Sequence, residues 1–372
     1  MPDKNAHFGQ DLLSWYHVHK RDLPWRRLSH DPYAVWVSEI MLQQTTVAAV
    51  VPFYERWMAR FPTLRTLAEA PLDDVLKFWA GLGYYARARN LHRGAQAVMA
   101  HNGQVPSEPA DLLALPGVGR YTAGAIASIA FGRDAPILDA NVVRVLSRMY
   151  AVTGDPKVSA SVQAQLWALA EQLIPPGQAA DFNQAMMELG ALVCVPAAPK
   201  CAACPVSPLC AAYAMGEPTA FPQFTQVKKW LDIEDVSVAV RDREGRVLLA
   251  QRSPALPLWG GLWELPRATR QAGEPLPDCA ARAACEAANV RVTNLRPFGH
   301  VKHVVANRRV TLHGWQGDAV DDTPDGAGHA HALAWEPLER TSRYALATPQ
   351  TRLMEQLTAA DAQGQLDFGG AH

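Results

Sequence analysis

No apolar run in this sequence approaches the roughly 18 residues a membrane helix needs, so no spanning segment is expected. The first twenty residues, MPDKNAHFGQDLLSWYHVHK, lack the apolar centre of a signal peptide, and a cytoplasmic setting follows. Neither charge sign is in excess: 35 Lys and Arg stand against 36 Asp and Glu, for a formal net charge of −1. Binding to nucleic acid would then require basic residues gathered on one face. Internal repeats are missing too. What is present is an ordinary globular composition, 49% apolar and 19% charged, in 372 residues. That length exceeds one compact core and suits two domains.

Residues 8–225 read as helical. WVSEIMLQQTTVAAVVPFYERWMARF carries apolar positions at helical spacing, with Pro62 just past its end. Further helices are expected at 71–80, 87–101, 107–115, 120–131, 140–150, 159–173 and 181–193. After Met215 the composition shifts: GEPTAFPQFTQVKKW suits a linker. Strand-like runs follow in DVSVAVRD, RVLLAQR, RRVTLHGW and HALAWEPL, with one helix expected at 277–289. The organisation read from this is an all-α region over 1–215, a linker over 216–232 and an α+β domain over 233–372.

Cysteine is scarce, six in all, yet Cys194, Cys201, Cys204 and Cys210 fall together in a C-x6-C-x2-C-x5-C pattern. Without an export signal, such a cluster points to metal before disulfides. Zinc usually takes two CxxC knuckles. One CxxC flanked by single cysteines suits a [4Fe–4S] cluster, one thiolate per iron. Structural zinc is the alternative. Cys279 and Cys285 read as small hydrophobes.

LPGVGRYTAGAIAS places a Pro-Gly-x-Gly turn between two helices. Gly117 and Gly119 would let backbone amides face outward at a helix N-terminus, where a phosphate can bind, and Arg120 adds a charge. A plain helix–helix turn is the alternative. Asp139 follows in ILDANVVRVL and reads as a helix cap. It would also sit near the mouth of a helical cleft, facing a developing sugar cation.

The hairpin, the later aspartate and the cysteine spacing together resemble the helix-hairpin-helix DNA glycosylases with an iron–sulfur cluster, over about residues 8–215. The resemblance implies two helical subdomains, a [4Fe–4S] loop, and a base flipped into the cleft between the subdomains. Within that superfamily, endonuclease III-like enzymes carry a lysine nucleophile just after the turn; here Tyr121 stands there. Without an amine the Schiff-base route has no nucleophile. PYAVWVSEIMLQQT, from Pro32, resembles the MutY-type signature PYxVWxSExMLQQT, and GLGYYARARNLH is a second long match.

The MutY-type resemblance implies a monofunctional glycosylase that removes adenine opposite 8-oxoguanine or guanine in double-stranded DNA, acting as a monomer. Glu39 is expected to protonate the base, its pKa raised by burial. Asp139 would stay ionised and stabilise the sugar cation, or capture it briefly as a covalent adduct. Tyr121 and Asn141 would orient the site. Arg26, Leu42 and Gln184 would line the adenine pocket, while Gln43, Gln44 and Tyr84 would fill or wedge the base stack. Arg87, Arg89 and Arg93 read as phosphate contacts or as a solvated basic face. Two other functions stay in view: a bifunctional glycosylase/lyase, and a non-catalytic DNA-binding iron–sulfur protein.

In the second half, WGGLWELP resembles the start of a Nudix-type segment. Of the glutamates that would hold Mg²⁺ only Glu286 remains, too few for a metal site, so no pyrophosphatase activity is expected. The domain is then expected to be Nudix-like and to read the lesion. Where many family members have Phe-Ser-His, this chain has Val305, Ala306 and Asn307. Asn307 is the one polar group left there to meet 8-oxoguanine.

Overall fold

The computed structural model describes residues 2–225, 229–320 and 328–368. The chain falls into two compact units, 1–69 with 90–226 and 70–89 with 227–372. The excursion of 70–89 into the second unit is a tertiary arrangement that a linear division of the chain does not show. It is tied there by Gln251 Nε2 donating to Asp73 Oδ1 (3.1 Å), Tyr85 donating to the Leu346 carbonyl (3.3 Å) and Arg89 donating to the Gly260 carbonyl (2.6 Å). Part of the expected linker, 226–228, lies outside the described residues.

The first unit is all-α among its described residues. Its central element is the helix Pro32–Leu42. Asp31 caps it, accepting from the Tyr33 and Ala34 amides, and Pro32 occupies the first turn, where no amide donor is needed. Every residue from Tyr33 to Met41 is buried, Ser38 and Glu39 included, so this helix runs through the core instead of along its surface. The helical spacing read across 36–61 is interrupted. Gln43 is extended (ψ 116°), Gln44 takes φ +58°, and Thr46 caps a second helix, Val47–Arg60. The break leaves Gln43 and Gln44 off the helix, at the rim of the cavity described below.

The helix Arg120–Phe131 starts at Gly119, after a turn in which the Val118 amide donates to the Leu115 carbonyl (3.1 Å). Gly117 holds φ +76°, and a Cβ there would lie 2.4 Å from that of Asn90, so both backbone and space demand glycine. The helix Ala140–Met149 begins at Asp139, and the helix Ala179–Leu192 packs against it over Val142, Leu146, Phe182 and Leu189. Gly190 permits this approach: a Cβ on it would sit 2.6 Å from the Cβ of Asn141.

The second unit is built on one mixed sheet. Its strands are β1 (Leu231–Arg241), β2 (Val247–Gln251), β3 (Trp263–Glu264), β4 (Arg267–Thr269), β5 (Val292–Val305), β6 (Arg308–Ala319) and β7 (Ala332–Glu336). The order is β3-β2-β1-β6-β5, with β4 paired to β1 and β7 to β2. Among the described strands β1 and β6 pair in parallel, and β5 and β6 form a long antiparallel hairpin. Side chains alternate across β1. Val236, Val238 and Val240 meet the helix Leu276–Ala288, and Ala239 faces the side covered by Leu353, Met354 and Leu357 of the helix Thr348–Phe368. Cys279 is buried in the first of these cores, whereas Cys285 is exposed.

Candidate active site

A cavity of about 690 Å³ opens in the first unit. It is lined by Arg26, Glu39, Leu42, Gln43, Gln44, Tyr121, Asp139, Asn141 and Gln184, all expected from sequence, and also by Arg21, Met187 and Glu188. The two carboxyl groups on which the chemistry depends therefore share one space. They come from elements that no local pattern connects: the central helix for Glu39 and a helix cap for Asp139.

Their environments differ. Burial raises the Glu39 carboxyl to about 7, and the Asp139 charge adds to this against the Tyr121 hydrogen bond and the Arg26 charge. Tyr121 donates its hydroxyl to Glu39 Oε2. Burial holds the Tyr121 phenol well above its usual range, so it serves as a neutral donor. Burial also raises Asp139, and it stays raised although fixed donors oppose the shift. The Val142 amide reaches Oδ1 at 2.7 Å and Asn141 Nδ2 reaches Oδ2 at 2.8 Å, with the Arg144 charge nearby. Arg144 bonds Asn141 Oδ1 (2.9 Å) and the Gly190 carbonyl (2.8 Å), fixing which face of the Asn141 amide meets the carboxylate.

Sequence reasoning did not single out Glu188, Arg21 or Arg144. Glu188 is a second acid inside an apolar helical run, FNQAMMELG, which is the signal that marked Glu39. Its side chain is 1% exposed and takes both arginines: Arg21 Nε at 2.8 Å and Arg26 Nη2 at 2.9 Å. Burial alone would raise Glu188, yet the hydrogen bonds from Arg21 and Arg26 bring it down to about 2.

The remaining predicted residues lie elsewhere. Gly117, Gly119 and Arg120 are exposed on the helical hairpin, and the Arg120 guanidinium lies 3.9 Å from the Trp167 ring centroid. Tyr84 and Asn307 belong to the second unit. Tyr84 has φ +50° and is 52% exposed, a strained and outward-facing aromatic. Asn307 follows Ala306 (φ +54°) in the turn of the β5–β6 hairpin and donates its amide to the Lys229 carbonyl (3.2 Å). Of the arginines read as phosphate contacts, Arg87 is buried against Trp79 and donates to the Leu82 and Gly83 carbonyls, and Arg89 bonds the Gly260 carbonyl. Both hold protein backbone. In the helix Leu276–Ala288, Glu286 pairs with Arg282 at 3.0 Å.

The expected [4Fe–4S] cluster is corrected by the structure. Among the described residues, no group of three or more His, Cys, Asp or Glu is arranged to hold a metal ion. Cys194, Cys201, Cys204 and Cys210 instead line a cavity of about 30 Å³ walled by Val145, Met149 and Leu189. Burial pushes the Cys204 thiol up to about 11 and raises Cys201 and Cys210. The loop is held by the buried Arg148, which donates to the Val195 (2.8 Å), Pro196 (2.7 Å) and Phe221 (3.0 Å) carbonyls.

Comparison with known proteins gives two family matches. Residues 37–172 match the HhH-GPD superfamily of base excision DNA repair proteins, and residues 236–356 match the NUDIX domain. An adenine DNA glycosylase from Homo sapiens is 41% identical over 359 residues, covering 82% of this chain and 65% of that protein. The chain spans about half the length of the curated relatives it matches, from 42% to 65%. The structure of a thermostable thymine-DNA glycosylase is similar with a TM-score of 0.53 and 34% identity, covering 57% of this chain and 98% of that one. A trapped endonuclease III–DNA covalent intermediate, at TM-score 0.50 and 23% identity over 58% of this chain and 98% of that one, shares the fold.

Proposed function

We propose that this chain, a member of the HhH-GPD superfamily of base excision DNA repair proteins, is of the MutY type and hydrolyses the N-glycosidic bond of adenine mispaired with 8-oxoguanine or guanine in duplex DNA. The observation that carries the reading is the shared cavity of Glu39 and Asp139, with the two carboxyls set in unlike surroundings.

The reaction breaks the bond between the sugar C1′ and adenine N9. Departure of the base is easier once N7 carries a proton. Glu39, raised to about 7, holds that proton at neutral pH and lies where an extruded base would sit. The Tyr121 hydroxyl occupies one Glu39 oxygen and leaves the other for the base. As the bond lengthens, positive charge grows at C1′. Asp139 accepts two N–H bonds that favour its ionised form, and it faces that charge. Water then attacks C1′ and completes hydrolysis. Splitting acid and anion between two carboxyls is the arrangement used in glycoside cleavage.

Gln184, Arg26 and Leu42 would surround the base, an amide offering both a donor and an acceptor. Gln43, Gln44 and Tyr84 would fill or wedge the stack left by the flipped adenine. The hairpin of Gly117, Gly119 and Arg120 would hold the DNA backbone. Asn307 would meet the lesion base. The enzyme would act on duplex DNA as a monomer in the cytoplasm. No helix among the described residues is long and apolar enough to cross a membrane.

The lyase alternative needs an amine at the site. Among the described residues lining the cavity there is no lysine, and Tyr121 occupies the position after Arg120. Incubation with duplexes carrying A opposite 8-oxoguanine or guanine, followed by alkali, should reveal abasic sites. Strand breaks without alkali, together with a borohydride-trapped covalent complex, would favour the lyase.

A further inference from the structure

The amide of Gln184 is already half engaged. Its Nε2 donates to the Ala180 carbonyl (3.2 Å), and its Oε1 accepts from Arg26 Nε (3.3 Å). These two bonds use one N–H and one lone pair, so one donor and one acceptor are left for a base. Two partners set which side offers which: the Arg26 guanidinium only donates and so selects the carbonyl oxygen, and the Ala180 carbonyl only accepts and so selects the amide nitrogen.

Arg26 is itself held. Its Nη1 donates to the Arg21 carbonyl (2.7 Å), and its Nη2 donates to Glu188 Oε2 (2.9 Å). Glu188 also takes the Arg21 amide (3.0 Å), Nε (2.8 Å) and Nη2 (2.8 Å). One buried anion thus anchors two cations from the 21–26 segment against the helix Ala179–Leu192, one turn beyond Gln184.

We propose that Glu188 is a positioning residue that sets selectivity for adenine, by fixing Arg26 and through it the orientation of the Gln184 amide. This rests on the reading of the cavity as an adenine site. The chemistry turns on a reversal. Adenine presents an N6–H donor beside the N1 acceptor; hypoxanthine, of the same shape, presents an O6 acceptor beside an N1–H donor. An amide held in one sense matches the first and mismatches the second. An amide free to rotate by a half-turn accepts either. Removing the Glu188 charge leaves Arg21 and Arg26 repelling each other without their common anchor, and the hold on Gln184 Oε1 loosens.

The test uses the full chain and duplexes with a single adenine or hypoxanthine opposite 8-oxoguanine, with single-turnover release measured for each. Wild type should favour adenine. Glu188→Gln should lower the adenine-to-hypoxanthine ratio at least about tenfold, since mismatched hydrogen-bonding groups in a buried site carry strong discrimination. Glu188→Asp, which keeps the charge, should retain more of the ratio. Arg26→Lys keeps an ion pair with Glu188 but has no Nε–H for Gln184, and should lose the ratio as Glu188→Gln does. If Glu188→Gln does not fold, Glu188→Asp is read against wild type instead: its shorter side chain cannot keep every bond to both arginines, so an unchanged ratio overturns the inference and a partial loss supports it. Equal slowing on both bases, with the ratio unchanged, overturns the inference and makes Glu188 a structural anchor only. Failure of wild type to release adenine overturns the functional reading as well, so the two failures are distinguishable.

Discussion

Glu39 and Glu188 are both glutamates buried on helices, both line one cavity, and physics drives them in opposite directions. Glu39 meets a phenol and a distant arginine, too little to offset burial, and its carboxyl rises to about 7. Glu188 meets two guanidiniums at hydrogen-bond distance and falls to about 2. Burial by itself thus fixes neither charge nor role; the number and sign of partners within reach do. One end of the cavity is equipped to give up a proton, and the other is built as a permanent anion that organises cations.

The largest expected break in this comparison is chemical. Glu39→Gln should slow adenine release by about 10³-fold or more, within the range general acid catalysis supplies, while duplex binding survives. Wild-type rates in a gel-based release assay would remove Glu39 from the mechanism.

Next is stability at the other end. Glu188→Gln leaves two partly exposed cations without their anion and should cost about 1–3 kcal/mol at neutral pH, read from urea unfolding. The wild-type contribution is present above the ordinary glutamate range and is lost as pH falls toward about 2. A Glu188→Gln midpoint equal to wild type would mean that the two arginines find other partners.

Glu39 carries the opposite sign. A folded-state pKa raised to about 7 costs nothing below the unfolded value, and the cost grows as pH rises from there through about 7. Glu39→Gln should therefore be more stable than wild type at pH 8 by about 3 kcal/mol, and equal to it near pH 4. In wild type, adenine release should decline as pH rises through about 7, where Glu39 loses its proton. Tyr121→Phe removes the hydrogen bond that lowers Glu39, so the decline should move to higher pH, with a rate loss of about tenfold. A limb that stays in place would separate the phenol from the titration.

The smallest effect concerns the lesion. Asn307 lies in a hairpin turn with its amide on a backbone carbonyl, so Asn307→Ala should change the ratio of rates on A:8-oxoguanine and A:guanine duplexes by no more than about threefold, the worth of a modest hydrogen bond. A tenfold fall would make Asn307 the lesion reader.

Much of this was legible in the residues because the signals are local. Asp139 reads as a cap from its place before an apolar run, and it caps the helix Ala140–Met149. The alternation of DVSVAVRD gives a strand, and β1 runs through it. Glu39 stands out as an acid among apolar neighbours, and it is 4% exposed. Glu188 gave the same signal, but without the long surrounding motif nothing set it apart from a solvated helix position. The helical spacing of 36–61 hid a break, since apolar periodicity continues across Gln43 and Gln44 while the Gln44 backbone adopts φ +58°. The cysteine spacing pointed to a cluster, whereas the fold closes those side chains around about 30 Å³ and holds the loop with Arg148.

The order of residues alone determined the helical and sheet halves, the caps, the glycine turn and the presence of unusual acids, because each depends on neighbours a few positions away. Only the tertiary structure decided that residues 70–89 join the sheet unit, that Glu39 and Asp139 share a cavity, and that Glu188 faces two arginines more than 160 positions distant. A carboxyl's charge state is set by what lies within a few ångströms in space, and folding brings those groups together from anywhere along the chain.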